Sequence, residues 1–187
     1  MITTKIKNNP LDSKAIHTNG NLKRYQIMES TFSYLLSAIL HSYKHSERIE
    51  KLSSIGYRMG CRVHELCALR ANQKNRDNTI EDIFLFIKDH LWPMLYQTKA
   101  YSAQRASEDP DTWYIYSIEL LEQKFIETAK VSNSEWPGRF TLGIIDGLLT
   151  SADFPTESVD ITHSHGYYTF VIKLKPHVRQ RDQHYSK

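Results

Sequence analysis

Two pairs of glycines, spaced four residues apart, lie inside stretches whose apolar residues recur with helical periodicity. Gly56 and Gly60 form the first pair, and Gly143 and Gly147 form the second. A glycine inside a helix costs about 1 kcal/mol relative to alanine, so the four together cost roughly 4 kcal/mol. Each pair opens a shallow groove along its helix, because residues four apart are neighbours there. We expect the two helices to pack closely through these grooves. The alternative is a groove for a partner subunit or an acyl chain.

Length and composition indicate one ordinary globular domain. The chain has 187 residues, of which 40% are hydrophobic and 24% are charged, so it can bury a core of adequate size. A formal net charge of +3 is too small to indicate a nucleic-acid-binding protein. Two cysteines cannot build a disulfide framework, which favours a reducing compartment. We expect neither a membrane span nor a signal peptide, because no apolar stretch of sufficient length occurs.

Two amphipathic helices are predicted in the first part of the chain, one beginning near Ser30 and one over residues 46–71. The apolar residues of the second follow steps of three and four, which is the spacing of a seam for helix packing. Together the two apolar faces exceed what one small core needs, so we expect the surplus to bind another chain. The candidate interface residues are Phe32, Leu35, Leu36, Ile39, Tyr43, Ile49, Leu52, Met59 and Val63.

A third helix follows a polar loop at residues 72–78. Thr79 is its predicted N-cap, and Pro93 should end or kink it near Trp92. Residues 98–111 are predicted to form a loop. The β-branched and aromatic residues at 112–118 predict a strand, with 124–129 as a candidate partner strand.

The last part of the chain is predicted to hold one helix and two strands. The fourth helix carries the second glycine pair and ends at residues 153–155. The strands, at 157–162 and 168–174, alternate in polarity and are joined by a hairpin turn. The order of three helices, two strands, one helix and two strands predicts an α+β fold, with helices packed on a small antiparallel sheet. Residues 25–178 form the predicted domain, between a flexible basic tail at 1–24 and a polar tail at 179–187.

The sequence offers no arrangement of residues suited to catalysis or metal binding. Cys61 and Cys67 lie about 240° apart on their helix, which is poor geometry for a shared tetrahedral ion. His163 and His165 share a turn with no further ligand at a suitable spacing. Phosphate-binding glycine motifs and a nucleophile elbow are also absent from the sequence. We therefore predict no catalytic residue, no metal ligand and no cofactor.

Short motifs in three elements nevertheless resemble one known family. The second helix carries Ile55-Gly56-Tyr57, Met59-Gly60 and Glu65-Leu66, and the fourth carries Phe140-Thr141-Leu142-Gly143-Ile144-Ile145. The last strand and the segment after it carry Ile172-Lys173 and Arg181-Asp182. In order and spacing, over roughly residues 28–182, these motifs are similar to the small α/β subunits of TRAPP, the transport protein particle that tethers vesicles. The resemblance is strongest to the subunit 5 family.

The resemblance implies a non-catalytic scaffold subunit of a hetero-oligomer that acts in transport from the endoplasmic reticulum to the Golgi. The assembled complex of that family is a guanine-nucleotide exchange factor for a Rab GTPase. The implied partners are an acylated-type small α/β subunit, which binds the first two helices, and a longin-like subunit. The implied location is cytoplasmic and peripheral at cis-Golgi and endoplasmic reticulum membranes.

The chain departs from the family pattern in two places. Leu120-Leu121 and Ala129-Lys130-Val131 stand where the family favours other residues. The loop at 72–78 contains no cysteine where a related subunit is acylated, so we do not predict acylation. The competing hypothesis is a small-molecule or acyl-chain binding module of the same fold, in which the glycine grooves shape a pocket. An enzyme is the third alternative.

Overall fold

The computed structural model describes residues 31, 34–39, 41–70, 79–96, 100–118, 120 and 138–185. The chain divides into two compact units, Met1–Tyr43 and Lys44–Lys187. Several sequence predictions lie outside the described residues. They are the basic tail at 1–24, Phe32, the loop at 72–78 and the candidate strand at 124–129.

In the first unit the described residues include a helix, α1, at 31, 34–39 and 41–42. Leu36 and Ile39 are buried, whereas Tyr34 on another side of the helix is 79% exposed. The N–H of Tyr43 donates to the carbonyl oxygen of Ile39 at 3.2 Å and closes the last turn. This pattern confirms the amphipathic helix that the sequence predicted.

The second unit begins with the long helix α2, His45–Arg70, whose bounds lie within one residue of the predicted ones. At its start the backbone N–H of Lys44 donates to the Glu47 carboxylate at 3.3 Å, which is one half of a capping box. It packs against α5, Arg139–Ser151. Gly138 precedes α5 with a φ of +83°, a left-handed conformation that favours glycine. Both helices were predicted from their apolar periodicity.

Between these two helices the chain forms α3, Ile80–Phe86, and α4, Trp92–Tyr96. The hydroxyl oxygen of Thr79 accepts the N–H of Asp82 at 3.2 Å, which confirms the predicted N-cap. The sequence predicted that the helix would end or kink near Trp92, and a π-helical turn, Ile87–Leu91, interrupts it there and joins α3 to α4. The wider turn places Pro93 in a new first turn, where an N–H is not needed.

Four strands form one antiparallel sheet in the order β1-β2-β4-β3. Their bounds are β1 Ser102–Arg105, β2 Thr112–Ser117, β3 Thr156–Ser164 and β4 Tyr167–Leu174. Phe170 and Ile172 are buried on the face of β4 that packs on the helices, and the residues that alternate with them, Thr169, Val171 and Lys173, are half-buried. The α+β fold with an antiparallel sheet is thereby confirmed.

Two aromatic contacts bind the helices to the buried face of the sheet. The rings of Phe84 and Trp113 are stacked with their centroids 4.5 Å apart. Trp92 meets Phe170 edge-on at 5.4 Å, and its indole N–H donates to the hydroxyl of Ser117 at 3.3 Å. The core of the second unit therefore lies between the helices and one face of the sheet.

The first strand was predicted wrongly as part of a loop at 98–111. Ser102–Arg105 pairs with β2 along one of its edges. Among the described residues, the strand at that edge therefore comes before β2 in the chain. The turn between them is built by Asp109, whose carboxylate accepts the N–H of Asp111 at 3.0 Å and the hydroxyl of Thr112 at 2.9 Å. A four-residue polar edge strand has no apolar alternation that could reveal it.

The hairpin between β3 and β4 has a two-residue turn, His165–Gly166, with φ values of 52° and 80°. Positive φ at both positions is the type I′ geometry that matches the twist of the flanking strands. The sequence predicted this hairpin, with a turn two residues longer.

The chain after β4 forms a helix, α6 Pro176–Tyr185, where the sequence indicated a polar tail. Its attachment is mostly polar: the Arg181 guanidinium binds the carboxylate of Asp153, and the Asp182 carboxylate accepts the N–H of Ile80 at 2.9 Å. Val178 is its one described apolar side chain in the core. A helix fixed by such contacts shows little apolar periodicity. No helix among the described residues is long and apolar enough to cross a membrane.

Candidate subunit interface

The two glycine pairs meet each other where α2 crosses α5. A Cβ atom placed on Gly56 would lie 2.2 Å from the carbonyl oxygen of Phe140, and one on Gly60 would lie 2.2 Å from that of Ile144. In the other direction, a Cβ on Gly143 would lie 2.3 Å from the carbonyl oxygen of Ser53. No side chain fits at such distances, so the helices touch backbone to backbone.

The same relation holds for Gly147, where a Cβ would lie 2.1 Å from the carbonyl oxygen of Tyr57. Each glycine groove is therefore filled by the opposite helix. A ligand could enter between α2 and α5 at these glycines only if the helices moved apart. In this structure the four glycines allow α2 and α5 to pack closely against each other.

The predicted interface residues differ in how far a partner could reach them. Leu36, Ile39, Leu52 and Val63 are already buried in the single chain, and Leu35, Tyr43, Ile49 and Met59 are half-buried. Phe32 is not among the described residues. A partner could therefore reach the second four residues in part, and the first four only after a change in packing.

A second row of residues on α2 shares Met59 with the predicted interface and adds four residues that sequence reasoning did not assign to it, three of which are exposed. Leu66 and Leu69 on α2 are 40% and 78% exposed, and Ile55 and Met59 earlier on the helix are half-buried. With the exposed Arg62, these residues follow steps of four, three, four and three. We call this row, Ile55, Met59, Arg62, Leu66 and Leu69, the outer strip of α2.

The outer strip could have been recognised from its spacing alone. Steps of four and three are those of a heptad seam. Arg62 interrupts the apolar pattern at its centre, so a search for apolar residues favours the neighbouring row through Leu52 and Val63. That neighbouring row faces the interior.

Cys67 lacks the properties of a nucleophile or of a metal ligand. Cys67 is buried, and its Sγ lies 3.4 Å from Sδ of Met94. Burial raises the pKa of the Cys67 thiol to about 11, although the nearby Arg70 lowers it in part. At neutral pH the group is therefore a thiol, whereas nucleophiles and metal ligands are thiolates. Cys61, which lies on a different side of the same helix, is half-buried.

The described residues include no group of three or more histidine, cysteine, aspartate or glutamate side chains that could hold a metal ion. The two histidines singled out in the sequence have neighbours of other kinds. His163 stacks on the ring of Tyr168 at 4.4 Å, and Nδ1 of His165 lies 2.7 Å from the hydroxyl of Ser164.

The one cluster of charges with shifted pKa values among the described residues is explained by the β1–β2 turn. Hydrogen bonds from Asp111 and Thr112, followed by the charge of Lys173, lower the pKa of Asp109. The carboxylates of Glu157 and Asp109 raise the pKa of Lys173, whose Nζ lies 3.5 Å and 3.6 Å from them. Asp109 stabilises the turn, and Lys173 on β4 pairs both with it and with Glu157 on β3.

Comparison with known proteins adds independent findings. A family model described as transport protein particle (TRAPP) component matches residues 28–175. Trafficking protein particle complex subunit 5 of Homo sapiens is 27% identical over 165 residues, which cover 86% of this chain and 87% of that protein. The subunit 5 of Dictyostelium discoideum is 32% identical over 135 residues, covering 70% and 73%.

The fold has a counterpart among solved structures. Trafficking protein particle complex subunit 3 from Naegleria fowleri, covalently bound to palmitic acid, superposes with a TM-score of 0.65. The match covers 80% of this chain and 93% of that one at 17% sequence identity. At this identity the likeness concerns the fold.

Proposed function

The chain belongs to the transport protein particle (TRAPP) component family, and on this premise we propose that it is a non-catalytic scaffold subunit of a TRAPP vesicle-tethering complex. The observation that carries the proposal is the outer strip of α2. Its two leucines, Leu66 and Leu69, are exposed at heptad spacing on the longest helix among the described residues. Exposed apolar strips of this kind mark sites of protein–protein interaction, where they become buried against another chain.

The absence of catalytic chemistry in the described residues supports a scaffold role. Among them, the groups with shifted pKa values are Cys67, which is buried under Met94, and the turn residues Asp109 and Lys173. None of these combines a shifted pKa with an open cleft, which is the usual mark of a catalytic group. The described surface does expose large apolar side chains, among them Leu66 and Leu69.

The finer parts of the proposal rest on the resemblance to subunit 5. We propose that the complex acts between the endoplasmic reticulum and the Golgi, at the membranes of both, and promotes guanine-nucleotide exchange on a Rab GTPase. Within it, the chain binds an acylated-type small α/β subunit through α1 and α2, and a longin-like subunit elsewhere.

Co-purification of the chain from cells at native abundance tests this function. We expect small α/β and longin-like chains at fixed stoichiometry, and a complex that accelerates nucleotide exchange on a Rab. The same complex depleted of this chain should lose subunits as well as exchange activity. A monomer that co-purifies with no other subunit would refute the proposal.

The acyl-chain alternative has weaker support. The related subunit 3 from Naegleria fowleri is covalently bound to palmitic acid. In this chain, however, backbone atoms fill both glycine grooves, and Cys67 is buried with a raised pKa. Mass spectrometry of the intact purified chain distinguishes the two functions, because a palmitoyl adduct would favour the alternative.

A further inference from the structure

We infer that the outer strip of α2 binds an acidic helix of another protein chain, with a carboxylate of that helix facing Arg62. The inference rests on the proposed function, since it specifies the chemistry of the partner at the same surface. It follows from the spacing of the strip, from the position of one charge within it and from the charges beside it.

The spacing of the strip fits a helix as its occupant. From Ile55 to Leu69 the strip extends over about 21 Å of helix, roughly four turns. Its steps of four and three keep one narrow seam facing outward, which is the pattern of two helices packed along their length. The opposite side of α2 is held against the backbone of α5 through Gly56 and Gly60. The outer strip therefore faces away from α5.

Arg62 gives the occupant its charge. It lies on the seam between Met59 and Leu66, it is exposed, and no ion pair involves it among the described residues. A helix that covers the two leucines must also cover the stem of Arg62. A guanidinium covered without a partner is costly, whereas a facing carboxylate can accept two hydrogen bonds from it. The occupant therefore needs an acidic residue at that position.

The charges beside the seam are positive on balance, like that of Arg62. Arg48, Lys51 and Arg58 lie on the seam line or its flank, together with two acidic residues, Glu47 and Glu65, which are 18 residues apart and therefore share one face of the helix. Arg58 and Arg62 are both exposed without an ion pair among the described residues. Flanking charges of this kind select partners of opposite sign and speed their association.

An anionic membrane would also attract these cations, but the apolar part of the strip fits it poorly. Helices that lie on membranes combine a broad apolar face with large aromatic anchors. The outer strip is one seam wide and contains no aromatic residue. We therefore commit to a protein helix and treat the membrane as an outcome of the test.

The test is charge reversal, Arg62→Glu, in the full chain co-expressed with the subunits that co-purify with the wild type. We expect binding of one partner subunit to weaken at least tenfold, and to recover when an acidic residue on that subunit's facing helix is changed to arginine. The matched control is Lys175→Glu, which makes the same change of charge at an exposed residue away from α2. It should leave binding unchanged. Thermal melts should show that both variants fold, because both side chains are exposed.

The outcomes separate this inference from the proposed function. If the wild type co-purifies with its subunits and Arg62→Glu binds them equally well, the acidic-helix inference is wrong while the scaffold function stands. If Arg62→Glu keeps all subunits but loses binding to vesicles of phosphatidylcholine with phosphatidylserine, the occupant is a membrane and the inference is again wrong. If the wild type itself co-purifies with no subunit, both proposals are overturned.

Discussion

The Asp182 carboxylate accepts a hydrogen bond from the backbone N–H of Ile80 at 2.9 Å, although 102 residues separate them in the chain. Ile80 is the first residue of α3, so its N–H has no partner within the helix. A carboxylate at this point also interacts favourably with the helix dipole. The last helix of the chain thus caps the third, and α6 is part of the folded domain.

Removal of this cap should lower stability by a measurable amount. We expect Asp182→Ala to reduce the free energy of unfolding by about 1 kcal/mol, the usual value of an N-terminal cap. For a chain of this size the thermal midpoint should fall by roughly 2–4 °C. Asp182→Asn keeps an acceptor oxygen and should lose less. Equal midpoints for wild type and Asp182→Ala would show that α6 does not cap α3 in solution.

The contact between α2 and α5 gives a second prediction, in which two physical effects have opposite signs. On helix propensity alone, Gly60→Ala should stabilise the chain by about 1 kcal/mol. The structure places its Cβ 2.2 Å from the carbonyl oxygen of Ile144. The helices would have to separate, and overpacking of this kind typically costs 1–3 kcal/mol or more. We therefore expect a net loss of stability in thermal melts.

Ser54→Ala is the matched control for that experiment. Ser54 lies on the same helix and is exposed, so only helix propensity should act and the midpoint should rise slightly. A raised midpoint for Gly60→Ala as well would mean that α2 and α5 are further apart than described.

The elements that were predictable from sequence are those whose apolar periodicity is strong. The outline of α2 and α5 follows from apolar steps of three and four, and that of β4 from strict alternation through Phe170 and Ile172. In each case one face of the element lies in the core, so apolar residues recur at the buried positions and reveal the element in the sequence.

The elements that escaped prediction are fixed by polar or remote contacts. β1 is four residues long, lies at an edge and pairs mainly through its backbone. α6 is attached through Arg181 and Asp182 to residues 28 and 102 positions away. Local apolar pattern has no information on contacts of these two kinds. The outer strip of α2 is a different case: its spacing was readable, and Met59 was predicted, but Leu66 and Leu69 were missed because Arg62 interrupts the row.

A third prediction concerns the ionisation of Cys67. Burial raises the pKa of this thiol from 9.0 to about 11. Between these values the unfolded chain has released a proton that the folded chain still holds, so this group's contribution to stability is lost as pH rises from about 9 towards 11. In a Cys61→Ala variant, where Cys67 is the sole thiol, alkylation of the folded chain by iodoacetamide should be half-maximal near pH 11. Half-maximal reaction near pH 9 would show that the thiol is accessible to water.

The last prediction separates the two roles of apolar residues on α2. We expect the double variant Leu66→Ser, Leu69→Ser to change the fold little, because the two side chains are 40% and 78% exposed in the single chain. In isolation it should self-associate less than the wild type, as light scattering would measure, since an apolar patch has been removed. In the complex it should bind its partner more weakly by about 2–3 kcal/mol, a factor of roughly 50, because two buried leucines are lost.

Leu85→Ser is the matched control: Leu85 is 47% exposed on α3, outside the outer strip, so partner binding should not change. If Leu85→Ser weakened partner binding and the double variant left it unchanged, the interface would lie on α3 and the outer strip would not belong to it.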